Sequence, residues 1–240
     1  MNNMKITLLG ILGVAIESND RMLMVDPYLL DTLHEQNGED FVRMVPVSQK
    51  WLAARPDIVL LTHDHGDHMD MPSLQAVVTG EKKVELIAGI NGWQKVRGNL
   101  PGDVNYIMMT PGCEWTSEDI HIRAVNARHS DFTGVGYVIT LEGKKILISG
   151  DTLYFGDAAK EIGEVDVAIV VMNGKGNNMN CADAARYAAE VKAKIAIPAH
   201  WGLFEKFSDD PDKFACEAEK LGVNSYIAPM FTAFDPADLM

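Results

Sequence analysis

Residues 63 to 68 read His-Asp-His-Gly-Asp-His, which packs three imidazoles and two carboxylates into one short stretch. Neutral imidazole nitrogens and carboxylate oxygens are ligands that zinc and manganese accept, so this run predicts a metal site rather than a solvated polar loop. The spacing suggests two ions. His63 and His65 can face one, while Asp67 and His68, further round the turn, can face a second. Gly66 between them is expected to relieve the backbone of a bend that other residues would resist.

The neighbouring segments show what must hold this run in place. Ile58, Val59, Leu60, Leu61 and Thr62 form an apolar, β-branched run too short for a helix, so the histidines begin where a buried strand ends. Asp70 then stands at the expected N-cap of a helix with Pro72 in its first turn, continuing through Ser73, Leu74 and Val77.

The same pattern, an apolar strand running into a ligand-type residue, recurs along the chain. Lys145 to Ser149 lead through Gly150 to Asp151, Val167 to Val171 lead to Asn173, and Ile195 to Ile197 lead through Pro198 to His200. Ile120, Ile122, Ala124 and Val125 alternate before the loop carrying Arg128 and His129. Taken together, these residues complete two ligand sets. Site one would be His63, His65 and His129; site two would be Asp67, His68 and His200, with Asp151 bridging between two dications. His121, inside the alternating run, reads as an ordinary strand residue. His34, in a polar loop from Asp31 to Asp40, reads as a surface histidine, with a place at the mouth of the site as the alternative.

Composition narrows the function. The chain has 240 residues, 47% of them hydrophobic, with no linker or low-complexity tract, so one domain spanning residues 1–240 is expected. A net charge of −13 disfavours a nucleic-acid binder and an anionic membrane surface. Cys113, Cys181 and Cys216 lack paired spacing and are expected as free thiols in a reducing, cytoplasmic setting. Cys181 opens a helix, where a reactive thiolate is conceivable, but packing is the expected role. The run from Ile6 to Ile16 is too short to span a bilayer and reads as a strand or hairpin.

With these residues in view, the chain resembles the metallo-β-lactamase superfamily, whose hallmark THxHxDH corresponds to Thr62 through His68, followed by His129, Asp151 and His200. The resemblance runs across nearly the whole chain. It implies an α/β (α+β) fold, a four-layer αβ/βα sandwich of two mixed β-sheets flanked by helices, with a dinuclear site at one edge. It also implies that Asp151, not a cysteine, occupies the bridging position, as in the hydrolase branches. THDHGDHMD, SGDTLYF from Ser149 and IPAHWGLFEKFSDDP from Ile197, with a helix expected from Ala182 to Ala193 before the last, are similar to the L-ascorbate-6-phosphate lactonase group. Two departures set the chain apart: it is shorter than those lactonases near its N-terminus and before the third histidine, and Trp201 replaces a second His.

The expected reaction is hydrolysis by a hydroxide held between two divalent ions, Zn or Mn, which needs no serine or cysteine nucleophile. No GxSxG or Walker-type loop points to another mechanism. Asp67 and Asp151 are the candidate catalytic carboxylates, Asp67 as a proton carrier. The expected substrate is a lactone or related ester of a small, polar, anionic, sugar-phosphate-like metabolite. Arg128 and Lys175 are candidates to hold its charge, Asn173, Asn177 and Asn178 its hydroxyls, and Trp201, Tyr154 and Phe204 to form an apolar wall. The alternatives are a phosphodiesterase for a small phosphodiester or cyclic nucleotide, a mononuclear iron enzyme handling oxygen or sulfur, and a non-catalytic metal-binding protein. A homo-oligomer is left open.

Overall fold

The apolar runs of the sequence become strands buried on both faces, as parallel strands covered on each side must be. In the computed structural model, which describes residues 4–240, these strands form two sheets of six. The first contains β1 (Lys5–Gly10), β2 (Gly13–Ser18), β3 (Arg21–Val25), β4 (Ile58–Leu61), β5 (Val84–Ala88) and β6 (Val104–Met108), in that spatial order. The first three pair antiparallel, and β3 to β6 run parallel. The second contains β7 (Glu114–Ser117), β8 (Ile120–Asn126), β9 (Val135–Leu141), β10 (Lys144–Ile148), β11 (Val167–Val171) and β12 (Ile195–Ala199). Here β7 to β10 pair antiparallel, and β10, β11 and β12 run parallel. Both sheets are mixed, as expected, and the run from Ile6 to Ile16 is the β1–β2 hairpin. Pro198 is tolerated inside β12 because that strand ends its sheet, and the outer bridge it makes, Ala196 to Ser225, lies before the proline.

Side-chain alternation sorts the apolar residues into layers. Ile6, Leu23, Leu60, Ile122, Ile146 and Ile169 belong to the core between the sheets. The opposite face of the first sheet, including Met24, Val59 and Leu61, packs under α2 (Gln49–Leu52), α3 (Met71–Val77) and α4 (Ile90–Val96). The opposite face of the second, including Leu147, Ala168 and Val170, packs under α5 (Ala158–Ile162), α6 (Cys181–Glu190) and α7 (Pro211–Lys220). The four-layer αβ/βα sandwich follows directly.

Two expectations about local structure are corrected. The Asp31 to Asp40 segment is not a loop: it holds α1 (Thr32–Asn37) and a 3₁₀ turn, Glu39–Phe41, separated by Gly38 at φ 81°. The helix expected over Ala182 to Ala193 is α6, which starts at Cys181 and stops at Glu190. Lys192 beyond it takes a left-handed φ of 49° that ends helical progression. The Asp70 cap is found as expected, its Oδ2 accepting from the backbone N–H of Ser73 at 3.0 Å.

One hydrogen bond ties the two sheets together at the strand that feeds the histidine run. The Tyr137 hydroxyl, on β9, donates to the carbonyl of Leu61, the last residue of β4, at 2.8 Å. Burial, with the Asp26 charge nearby, pushes this hydroxyl well above its ordinary pKa, so it remains a donor. Tyr137→Phe is expected to cost about 1 to 2 kcal/mol by urea unfolding, the range for a buried hydrogen bond lost without its acceptor. An unchanged midpoint would show that this bond contributes nothing.

Candidate metal centre

The ligand-type residues converge because the strands deliver them to one edge: β4 ends before His63, β8 before His129, β10 before Asp151 and β12 before His200. In the first cluster, His65 Nδ1 stands 3.1 Å from Nε2 of both His63 and His129. In the second, Asp67 Oδ2 stands 3.7 Å from His68 Nε2 and 3.5 Å from His200 Nε2. Within each trio the ligand atoms lie within 4.8 Å of one another. Two nitrogens on one tetrahedral zinc at its usual bond length would stand roughly 3.3 Å apart, so the first cluster is already near that spacing.

Asp151 lies between the clusters. Its Oδ2 is 3.9 Å from His129 Nε2 and 3.4 Å from His200 Nε2, and its Oδ1 is 3.5 Å from His68 Nε2. Asp151 Oδ1 and His68 Nε2 are both buried and lack any hydrogen-bond partner. Buried polar atoms are rarely left so, and a shared cation is the group that would satisfy both. The residues present therefore fit bound metal.

Outside this inner set, a second set of contacts fixes each ring. Nδ1 of His63 meets Thr62 Oγ1 at 2.9 Å, Nδ1 of His68 meets Asp26 Oδ2 at 2.9 Å, and Nδ1 of His129 meets the Asn177 carbonyl at 3.3 Å. The Asn173 amide stands 2.9 Å from Nδ1 of His200. Four rings thus turn Nε2 inward. His65 is reversed, with Nδ1 inward and Nε2 at 3.3 Å from Ser130 Oγ. Asn178 Nδ2 donates to Asp151 Oδ2 at 2.8 Å.

Asp26, fully buried, links both clusters. It accepts from the Thr62 backbone N–H at 2.7 Å and from the Thr62 hydroxyl at 2.5 Å, besides holding His68. Its φ of 43° and that of His200, 67°, lie in the left-handed region that costs a non-glycine residue energy, here at positions that aim ligands. Asp26 is a site residue that no sequence motif marks, since it stands alone before Pro27 with no ligand-type neighbour. Gly66 needs a different explanation from the expected bend. It has no left-handed φ, and a Cβ there would come within 3.0 Å of Leu33 Cδ2, so close approach is what favours glycine.

Electrostatics divide the clusters. Burial holds His63 well below its ordinary pKa and also lowers His129, leaving both as neutral donors. Burial works against charge on His68 and His200 too, but Asp151 and Asp67 outweigh it, raising His68 well above its ordinary value and His200 to about 9. In return, burial of Asp67 and Asp151 is outweighed by His68 and His200, which hold both carboxyls well below the usual range. The second cluster thus sets two imidazoles whose positive form is favoured against two carboxylates whose negative form is favoured, a charge pattern that suits a dication.

His65, Asp67, His129, Asp151 and His200 line a cavity of about 310 Å³, together with Asn173, Lys175, Asn177, Asn178, Ser130, Phe41 and Phe207. Four expected lining residues face elsewhere. The Arg128 guanidinium lies 4.6 Å over the Phe155 ring, and Trp201 Nε1 donates to the Pro198 carbonyl at 2.9 Å while its ring joins the outer core. Tyr154 donates to Glu190 at 2.6 Å, and Phe204 is buried in the central core. The Lys175 ammonium lines the cavity but donates to the carbonyls of Lys206, at 2.5 Å, and Ser208, at 2.9 Å. The expected anion-holding pair of Arg128 and Lys175 is therefore not assembled. Phe41, Phe207 and Ser130 were missed by sequence reasoning, which had no signal for segments so far apart.

His34 is on α1, bonded to the Gly38 carbonyl at 3.2 Å and outside the cavity lining, and His121 pairs with Glu114 across β7 and β8 at 3.3 Å. A wider hollow of about 620 Å³ around Cys181, Asp209 and Lys213 shares no residue with the histidine clusters. Burial, reinforced by Asp209, pushes the Cys181 thiol up to about 11, which fits the packing role. Among the described residues, no helix is long and apolar enough to cross a membrane.

Comparison with known proteins agrees with this geometry. The family model described as the Beta-lactamase superfamily domain matches residues 21–201. A UPF0173 metal-dependent hydrolase of Geobacillus is 30% identical over 230 residues, covering 88% of this chain and 91% of the relative. One from Methanopyrus kandleri is 28% identical over 232 residues, covering 92% and 94%. The metallo-β-lactamase fold protein YhfI from Bacillus subtilis superposes with a TM-score of 0.74 at 21% identity, over 97% of this chain and 100% of that one. An isothiocyanate hydrolase from Delia radicum gut bacteria gives 0.76 at 17% identity, over 97% and 99%, a likeness of fold. The chain belongs to the metallo-β-lactamase superfamily and, within it, to the UPF0173 metal-dependent hydrolases.

Two outcomes are expected. Zinc added to metal-free protein at neutral pH is expected to release protons, since the raised pKa of His68 and His200 favours their protonated form and both must deprotonate to bind; calorimetry in buffers of different ionisation enthalpy reads this, and no release would contradict the charge assignment. Asp26→Asn weakens zinc affinity on the order of 10- to 100-fold by competition with a chromophoric chelator, as loss of an orienting partner does.

Proposed function

We propose that this metal-dependent hydrolase holds two divalent ions, one at His63, His65 and His129 and one at Asp67, His68 and His200, with Asp151 shared, and opens a lactone or related ester of a small molecule. The observation that carries this reading is the pair of buried, unpartnered atoms, Asp151 Oδ1 and His68 Nε2, set between two ligand trios. Support for an ester or lactone comes from the likeness of THDHGDHMD and SGDTLYF to the lactonase group. The ions, zinc or manganese, would supply Lewis acidity and draw the pKa of water toward neutrality.

The chain's own groups supply the rest. Asp67, half-buried, lines the cavity and is the carboxylate that would carry a proton to a leaving oxygen. Asn178 fixes the Asp151 carboxylate through one oxygen, and Ser130 fixes the outer nitrogen of His65. Burial of His63, His68, Asp151 and His200 keeps bulk water from competing with a substrate on that side.

The test is a panel of lactones, simple esters and bis-nitrophenyl phosphate, offered to protein reconstituted with zinc or manganese. Ester or lactone turnover is expected, lost to a chelator and restored by metal, with Asp151→Asn reducing it at least about 100-fold. Hydrolysis of the phosphodiester with esters untouched would replace this reading by the phosphodiesterase one, and no hydrolysis of any member would sink it.

A further inference from the structure

The cavity has one wall that the hydrolytic reading does not use. Two single-turn 3₁₀ helices, Glu39–Phe41 and Glu205–Phe207, bring Phe41 and Phe207 together with ring centroids 5.0 Å apart and planes at 27°. Both rings line the cavity beside the histidines and both are half-buried, so part of each stays open. The pair is anchored from behind. Phe41 meets the buried Phe204 edge-on at 5.5 Å, and Phe204 meets Tyr28 at 5.7 Å. An ion pair between Lys206 and Asp40 joins the two turns. Asn173 Nδ2 donates to the Phe207 carbonyl at 3.0 Å, and Lys175 holds the carbonyls on either side of it. The wall is a built surface rather than a loop tip.

Much of the polar lining is committed, the exposed Asn177 amide excepted, while both rings keep open area. Ser130, Asn173 and Asn178 turn polar groups to His65, His200 and Asp151. Among the described residues, Lys175 is the one lysine or arginine on the lining, and its ammonium gives two of its three donors to carbonyls of the wall. The Asn177 amide and one Lys175 donor are what the lining leaves to a polar substrate, while a flat apolar group would cover exposed ring area. The volume, about 310 Å³, admits one ring and the reacting group but little more.

From this we infer that the centre takes an uncharged ester or lactone whose flat apolar group, aryl or unsaturated, lies against Phe41 and Phe207. The inference rests on the hydrolase reading above for the reacting group alone. The wall selects by shape and by the edge and face attraction of aromatic rings, which adds to the area buried.

Binding of metal-directed probes separates this claim from turnover. Zinc-loaded protein is titrated by calorimetry with acetohydroxamate, benzohydroxamate and 4-carboxybenzohydroxamate, for wild type, Phe207→Ala, Phe207→Leu and Phe41→Ala. Benzohydroxamate is expected to bind roughly tenfold more tightly than acetohydroxamate, a preference of ~1.4 kcal/mol. That ratio should fall to about twofold or less in the alanine variants and to an intermediate value in Phe207→Leu. An unchanged acetohydroxamate affinity in each variant reports that fold and ions are intact. The carboxylated probe should bind more weakly than benzohydroxamate. A ratio near one in wild type, a ratio unmoved by all three substitutions, or tighter binding of the carboxylated probe would overturn the inference. Intact binding ratios with no turnover of any ester would overturn the hydrolase reading and leave the aromatic site standing.

Discussion

The carboxylate of Asp151, buried among the imidazoles of His68, His129 and His200, is the constraint on which the rest of the structure depends. A buried carboxylate must be matched by positive charge, and the chain offers two ways to do it. Without an ion, Asp151 and Asp67 favour the protonated form of His68 and His200. Metal ions, attracted by the same carboxylates and met by the neutral His63 and His129, replace those protons. Asp151 Oδ1 and His68 Nε2 face one another at 3.5 Å without forming a hydrogen bond, a gap that a bound cation would fill.

Positioning so many like groups together requires a rigid frame, and the two sheets provide it from opposite sides. The first sheet contributes His63 to His68 after β4, with Asp26 after β3 reaching across to hold Thr62 and His68. The second contributes His129, Asp151 and His200 after β8, β10 and β12. Left-handed backbone at Asp26 and His200, each at a cost of about 1 to 3 kcal/mol, is sustained by the surrounding contacts, such as the His200 N–H to the Ile11 carbonyl at 2.6 Å. The short loop from Asn173 to Asn178 then touches His200, His129 and Asp151 through Asn173, Asn177 and Asn178. One segment thus steadies a member of each cluster and the carboxylate between them.

Much of this was legible in the sequence because strand ends are local signals. The runs Ile58 to Leu61 and Val167 to Val171 announce buried strands by composition, and the ligand that follows each strand is then placed at the sheet edge without knowledge of the fold. The structure brings His63, His65 and His129 together and likewise Asp67, His68 and His200, and it adds a third group, Asp26 with His63 and His68, that crosses this partition. What escaped depends on long-range packing. Arg128 precedes a ligand in sequence, yet neighbouring side chains outside a helix point different ways, and its guanidinium found the Phe155 ring. Phe41 and Phe207 meet only because two distant 3₁₀ turns pack together, which no local pattern encodes. Asp26 carries no spacing that distinguishes an orienting carboxylate from a turn residue.

The central claim is that these residues hold two ions, and anomalous diffraction from crystals of zinc-loaded protein at the metal absorption edge tests it most directly. The account predicts two peaks per chain, one among His63, His65 and His129 and one among Asp67, His68 and His200, with Asp151 between them. A single peak, or peaks away from both trios, would contradict it.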